Sequence, residues 1–315
     1  MINWKKKIPF TELISCKVIL LFLFFCVFPV GAKSMNNEKY IIQFKSNDSA
    51  CLLRINDFPA FDNLTISHGL VSTGFDFTAF FENGENTIEL LMGSRGKNNP
   101  IALHPNAYCQ VEITKETPEG STKLAEFKLD VNKNGKITGV NSSDYNGGVY
   151  NSRVIEGYTK SKSDYGLYKL LSNLKLNGLP RWKWVDATPV KTSDLPQIKK
   201  MYTDIWNMAK NRDIDSLNKV AAISTQEIAY ATGSTLGITF ISTGVPEHVV
   251  DETLTMTPIA WDKYNLVTYK GGRLFRLAVG VFQSSPILFQ DSKGESVFAY
   301  APYFSIIDGK VTLVR

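Results

Sequence analysis

The sequence predicts a mostly β protein of α+β character, an antiparallel β-sandwich followed by helices and a bent antiparallel sheet. Three observations predict it. From Tyr40 to Val140, short β-branched and aromatic runs alternate with turn residues, and no helical period falls between them. From Asp194 the apolar residues recur at helical spacing. From Thr235 to the end the strand pattern returns.

Ahead of these parts, Lys5, Lys6, Lys7 and Lys17 precede an apolar run from Val18 to Phe28, with Val30 and Ala32 placed as a small-residue cleavage site. That is the order of an export signal. The eleven residues 18–28 rise only about 16 Å as a helix, against a hydrocarbon core of about 30 Å. Residues 1–32 are therefore expected to be a cleaved signal, the rival being an uncleaved anchor that includes 18–32. Either places the rest of the chain on the periplasmic side, in the second case held to the inner membrane.

The chain has 35 Lys and Arg against 30 Asp and Glu, a net of +5. Residues 1–32 hold four of the lysines and one glutamate, so the remainder carries +2. The basic balance belongs to the targeting segment, and no nucleic-acid partner is expected. Cys16 and Cys26 also fall within it. Cys51 and Cys109 remain, and in an oxidising compartment an even pair reads as a disulfide.

In chain order, YIIQF (40–44), CLLRI (51–55) and FDFTAFF (75–81) are half-buried strands, and Asn83-Gly84 turns into TIELLMG (87–93). AYCQVEI (107–113), LAEFKLDV (124–131) and GKITGV (135–140) follow. DVNKNGKITGVN (130–141) partly matches a calcium loop, but Asn141 stands where a bidentate Glu is needed, so a hairpin turn is expected and no metal.

Residues 142–168 mix five tyrosines with Ser, Asn, Gly and Lys, a composition that binding loops share with long connections. Arg153 to Lys200 holds ten basic and four acidic side chains, a solvated face or one that meets an acidic protein surface. Tyr145, Tyr150, Arg153, Tyr158, Lys160 and Lys162 are the candidate partner-binding residues. VIEGYT (154–159) is one edge strand. In LPRWKWVDATPV (179–190), Trp182 and Trp184 share one face of a closing strand; a tryptophan pair can also stack on a sugar. The first domain is thus placed at 38–190 and the second at 194–315.

In the second, Asp194 is expected to cap a helix carrying Ile198, Met201, Tyr202, Ile205, Trp206 and Ala209. Asp213 starts another, and Ser224–Gly233 reads as a third, stopped by Gly233. Strands are expected at 235–242, 253–261, 265–272, 273–282, 287–291, 297–307 and 310–314.

Catalytic signatures are missing. Only His68, His104 and His248 could act as an imidazole base, and none sits in a triad context. There is no Walker loop, G-x-G-x-x-G or zincin helix, so neither catalysis nor a cofactor is expected. Glu247, His248, Asp251 and Glu252 form a dense ionisable cluster that reads as a solvated loop.

SACLLRINDFPAF and ENGENTIELLMG, within 49–93, resemble the jelly-roll sandwiches of exported bacterial accessory domains. LPQIKKMYTDIWNMAKNRDIDSLNKVAAIS, followed by strands (195–315), resembles the NTF2-like family, whose helices line a cone closed by a bent sheet. The combination resembles exported immunity or self-identity proteins, Proteus-type, that protect enterobacteria from type VI secretion effectors. The resemblance implies a non-enzymatic protein that binds and neutralises a cognate effector in the cell envelope. An envelope carbohydrate-binding or glycan-acting protein is the other expectation.

Overall fold

The computed structural model describes residues 38–66, 69–95, 103–140, 155–280 and 282–315. It is mostly β with a helical layer in the C-terminal part, and Met35–Arg315 clusters as one compact unit. No helix among the described residues is long and apolar enough to cross a membrane.

The first part consists of β1 (Lys39–Asn47), β2 (Ala50–Ile55), β3 (Phe58–Asp62), β4 (Leu70–Asp76), β5 (Gly84–Gly93), β6 (Tyr108–Thr117), β7 (Gly120–Val131), β8 (Ile137–Val140), β9 (Ile155–Tyr158) and β10 (Tyr168–Leu176). They form two antiparallel sheets, ordered β4-β1-β6-β7-β8 and β3-β2-β5-β10-β9. Alternation along β1 shows why: Tyr40, Ile42, Phe44 and Ser46 are buried while Gln43 and Lys45 are exposed. The inward residues of both sheets belong to one apolar cluster. Cys51 on β2 and Cys109 on β6 are bonded with Cα atoms 6.0 Å apart, so the disulfide ties one sheet to the other. Asn132 closes the β7–β8 hairpin, its Oδ1 accepting from the N–H groups of Asn134 and Lys136. Gly135 there has φ +72°, which glycine adopts without strain.

Several local expectations are corrected. The strand expected over 75–81 ends at Asp76, because Asp76 Oδ1 accepts the Thr78 N–H and a 3-10 turn follows at Thr78–Phe80. The stretch 179–190 is not a strand. Lys183–Asp186 forms a 3-10 turn, and both tryptophans are buried, with indole N–H groups donating to Phe81 O (2.8 Å) and Ala79 O (3.4 Å). An indole needs such a partner when buried, and a turn supplies the aim.

The second part begins with α1 (Leu195–Lys210), α2 (Ile214–Val220), α3 (Ala222–Thr232), α4 (Leu236–Ile241) and α5 (Val245–Val250). Two antiparallel sheets follow. One is β11-β14-β15, from β11 (Thr255–Met256), β14 (Ile287–Gln290) and β15 (Ser296–Tyr300). The other is β12-β13-β16-β17, from β12 (Asn265–Tyr269), β13 (Leu274–Ala278), β16 (Phe304–Ile307) and β17 (Lys310–Leu313). α1 buries Ile198, Tyr202, Ile205 and Ala209 as its period requires. Asp194 does not cap it; its carboxylate accepts from the Lys191 N–H instead, closing the turn before the helix.

The strand expected at 235–242 is the helix α4. Its β-branched content favours a strand, but Thr235 caps a helix through the Ile238 N–H, and Phe240 is buried against the helical layer. Packing overrides a propensity difference of about 1 kcal/mol. The expected strand at 253–261 shrinks to Thr255–Met256, and 297–307 is split into β15 and β16 around Pro302, which cannot donate to a ladder. His248 lies on α5 and not in a loop, its ring stacked on Phe298 at 4.0 Å.

The two parts share a seam. Phe58 stacks on Tyr269 at 5.0 Å, and both touch Tyr303. Glu82 accepts from both Arg273 amino groups at 2.8 Å and lies 2.6 Å from Lys270 Nζ. Burial would raise the Glu82 carboxyl, but the hydrogen bonds from Arg273 and Lys270 outweigh it and hold the group below its ordinary value.

Candidate partner-binding face

The face is built on the outer side of the second sandwich sheet, where charge would not ordinarily be enclosed. Arg54 and Glu89 are direct cross-strand partners on β2 and β5. β10 pairs with the other side of β5 and brings Lys169 alongside. Into this group drops Asp164, from the 3-10 turn Lys162–Asp164 that joins β9 to β10. Its side chain is 1% exposed, with Oδ1 at 2.6 Å from Arg54 Nη1 and Oδ2 at 3.0 Å from Lys169 Nζ. Glu89 completes the network, at 3.1 Å from Arg54 and 3.5 Å from Lys169. Burial alone would push the Asp164 carboxyl up. Hydrogen bonds from Arg54, Lys169 and Thr159 reverse this and hold it below the usual carboxylate range.

The turn is fixed as well as charged. The Asp164 N–H donates to Ser161 O, and the Leu167 N–H to Asp164 O. Tyr165 takes a left-handed conformation, φ 54°, followed by Gly166 at φ 72°. Such a reversal throws the Tyr165 side chain outward. Tyr165 is 49% exposed and Tyr158, at the end of β9, 68%. The Tyr158 ring rests edge-on against Tyr168 at 5.1 Å, and Lys160 and Lys162 between the two tyrosines are exposed.

Beside the turn, a cavity of about 290 Å³ opens at the seam, with Arg54, Asp164, Tyr165 and Lys169 on one wall and Tyr269 and Gln283 on the other. Arg276 stands behind that second wall, donating to Tyr269 Oη at 3.1 Å and to Gln283 Oε1 at 3.0 Å. Burial pushes the Tyr269 phenol above its ordinary value, so it stays a neutral hydroxyl. These groups can bind and orient a polar partner.

Of the residues singled out from sequence, Tyr158, Lys160 and Lys162 come together here. Tyr145, Tyr150 and Arg153 lie outside the described residues. Sequence reasoning missed Arg54, Asp164, Tyr165 and Lys169. The signal for Tyr165 was the Asp-Tyr-Gly turn, and for Arg54 an arginine inside an otherwise apolar strand. Trp182 and Trp184 are enclosed in the core and have no face to offer a sugar. Among the described residues no group of three or more His, Cys, Asp or Glu could hold a metal ion. Compared with protein-family models, curated proteins and solved structures, the chain matches none.

Proposed function

We propose that this chain is a non-enzymatic immunity or self-recognition protein of the cell envelope that binds and neutralises a cognate secreted effector. In this reading residues 1–32 export it, the sandwich is a jelly-roll-like platform, and the C-terminal part is an NTF2-like cone. The observation that carries it is the turn held by buried Asp164, which presents Tyr158 and Tyr165 with two lysines between them. Rigid aromatic anchors lose little entropy on binding and concentrate interface energy. The lysine rim suits an acidic patch on the partner and would speed encounter.

The test pairs the protein with the toxin of a neighbouring reading frame. Alanine at Tyr158 and Tyr165 together should weaken effector binding by about 2 kcal/mol or more per anchor, some thirtyfold each. Protection should be lost while the thermal midpoint stays unchanged. Full protection by a folded double variant would sink the assignment of this face. With the tryptophan pair enclosed, a glycan-binding role would have to use the seam cavity, and retention on glycan columns abolished by Tyr269→Phe would favour it.

A further inference from the structure

We propose that the seam cavity is a carboxylate site, in which a bound monoanion balances the buried charge of Arg276. Arg276 stands on β13, a strand buried at every position. Its neighbours on that strand face opposite ways: Leu274 belongs to the sandwich cluster, Phe275 and Leu277 to the other. Alternation therefore turns Arg276, with Leu274, toward the seam. There it is 5% exposed and makes no ion pair among the described residues. Its partners are neutral: the Tyr269 hydroxyl, the Gln283 amide oxygen, and the face of Tyr303 at 4.8 Å. The nearby phenols are no counter-ions, since burial pushes Tyr202, Tyr269 and Tyr303 above their ordinary value and keeps them neutral. The other charges of the seam are already matched. Arg54 and Lys169 meet Asp164 and Glu89, Lys270 and Arg273 share Glu82, and Asp57 accepts from the Lys270 N–H. A buried cation without an anion is costly, so this one favours whatever anion can reach it.

Gln283 carries that charge to the cavity. A guanidinium only donates, so Gln283 turns its Oε1 toward Arg276, and the same oxygen accepts from the Tyr269 hydroxyl. The amide nitrogen keeps its N–H donors without a partner among the described residues, on a side chain that lines the cavity. With its oxygen held by a cation, the amide presents its positive end on the far side, as an anion requires. The backbone fixes this placement, for Gln283 has φ 49° in a turn closed by the pairing of Val279 with Ser284. Leu52, Pro59 and Val267 also line the cavity and suit a short apolar body behind the carboxylate. The surplus is one charge, which a carboxylate cancels and a phosphate dianion would overshoot. The site stands apart from the effector reading, because the chain alone should bind. A free acid or the acidic side chain of a partner can supply the same group.

Sodium benzoate is the probe and benzamide its neutral counterpart, each added to the full chain at one ionic strength while the thermal midpoint is read. A ligand that binds only the folded chain raises the midpoint by mass action. Benzoate should raise it saturably and benzamide should not. Gln283→Glu places a carboxylate beside Arg276, so its midpoint without ligand should exceed that of the wild type, and benzoate should add nothing. Arg276→Met removes the charge and should abolish the benzoate response; if that variant fails to fold, Gln283→Glu decides. Equal responses to benzoate and benzamide overturn the proposal, as does a benzoate response that survives in both variants. A Gln283→Glu midpoint no higher than that of the wild type also overturns it, since Tyr303 and the neutral acceptors would then already satisfy Arg276. Benzoate that displaces the effector assigns the carboxylate to an acidic side chain of the effector. Benzoate bound alongside the effector assigns it to a free acid, and the carboxylate site holds in both cases.

Discussion

Asp164 holds the turn between β9 and β10 through two cations, and its removal has a predictable sign. Asp164→Asn keeps the shape but leaves Arg54 and Lys169 sharing one carboxylate, Glu89, in a partly enclosed site. A cost of about 3 kcal/mol is expected, read as a lower urea midpoint with unchanged slope. The pH dependence follows from the depressed folded-state value of the carboxyl. Its contribution is complete above the unfolded aspartate value of about 3.9 and is lost as pH falls through the lower folded value. Glu82 acts in the same direction. The wild type should therefore lose stability steeply in acid, and Asp164→Asn should flatten that slope. Equal acid slopes in both proteins would exclude the role given to Asp164. None of this was legible in the sequence, because residues 54, 89, 164 and 169 meet only through the register of β2, β5 and β10. The Cys51–Cys109 pair was legible, since only two cysteines lie beyond residues 1–32, which leaves one partner for each thiol.

Among elements, those with a strong period were readable and those set by packing were not. α1 carries an amphipathic stripe long enough to speak for itself, and β1, the first half of β6 and the second half of β7 alternate. α4 and the 3-10 turn at 183–186 are short, and their form depends on what Phe240, Trp182 and Trp184 pack against. The disulfide works at this scale because it joins strands of facing sheets. Closing a loop with a sequence separation of 58 is worth about 4 kcal/mol in the chain-entropy model. Cys51→Ala with Cys109→Ala should lower stability by roughly that amount, measured by urea unfolding. A reduced midpoint that persists when both proteins are compared under reducing conditions would instead point to lost packing.

For the whole molecule the open matter is whether the two parts behave as one. The sequence changes period at 189–196, and two apolar clusters can be told apart, one under each part. Yet Tyr269, Leu274 and Val314 from the C-terminal part sit in the sandwich cluster, and Arg273 and Lys270 reach across to Glu82. The joint itself is tied down, the Thr188 N–H donating to Ile306 O and the Val190 N–H to Gly272 O. A seam of this kind couples the parts when its energy exceeds what either part gains by opening alone. The expectation is a single cooperative transition, with the far-ultraviolet signal and tryptophan fluorescence changing together. Fluorescence reports on both sides, since Trp182 and Trp184 belong to the sandwich cluster while Trp206 and Trp261 pack on the other. Glu82→Gln strands two cations at the seam and should cost about 2–3 kcal/mol, less than a fully buried pair because Arg273 keeps some contact with water. If the seam is what couples the parts, that variant should separate the transition into two and expose 189–196 to protease before the strands. Two transitions already present in the wild type would mean that each part folds on its own and that the seam only aligns them.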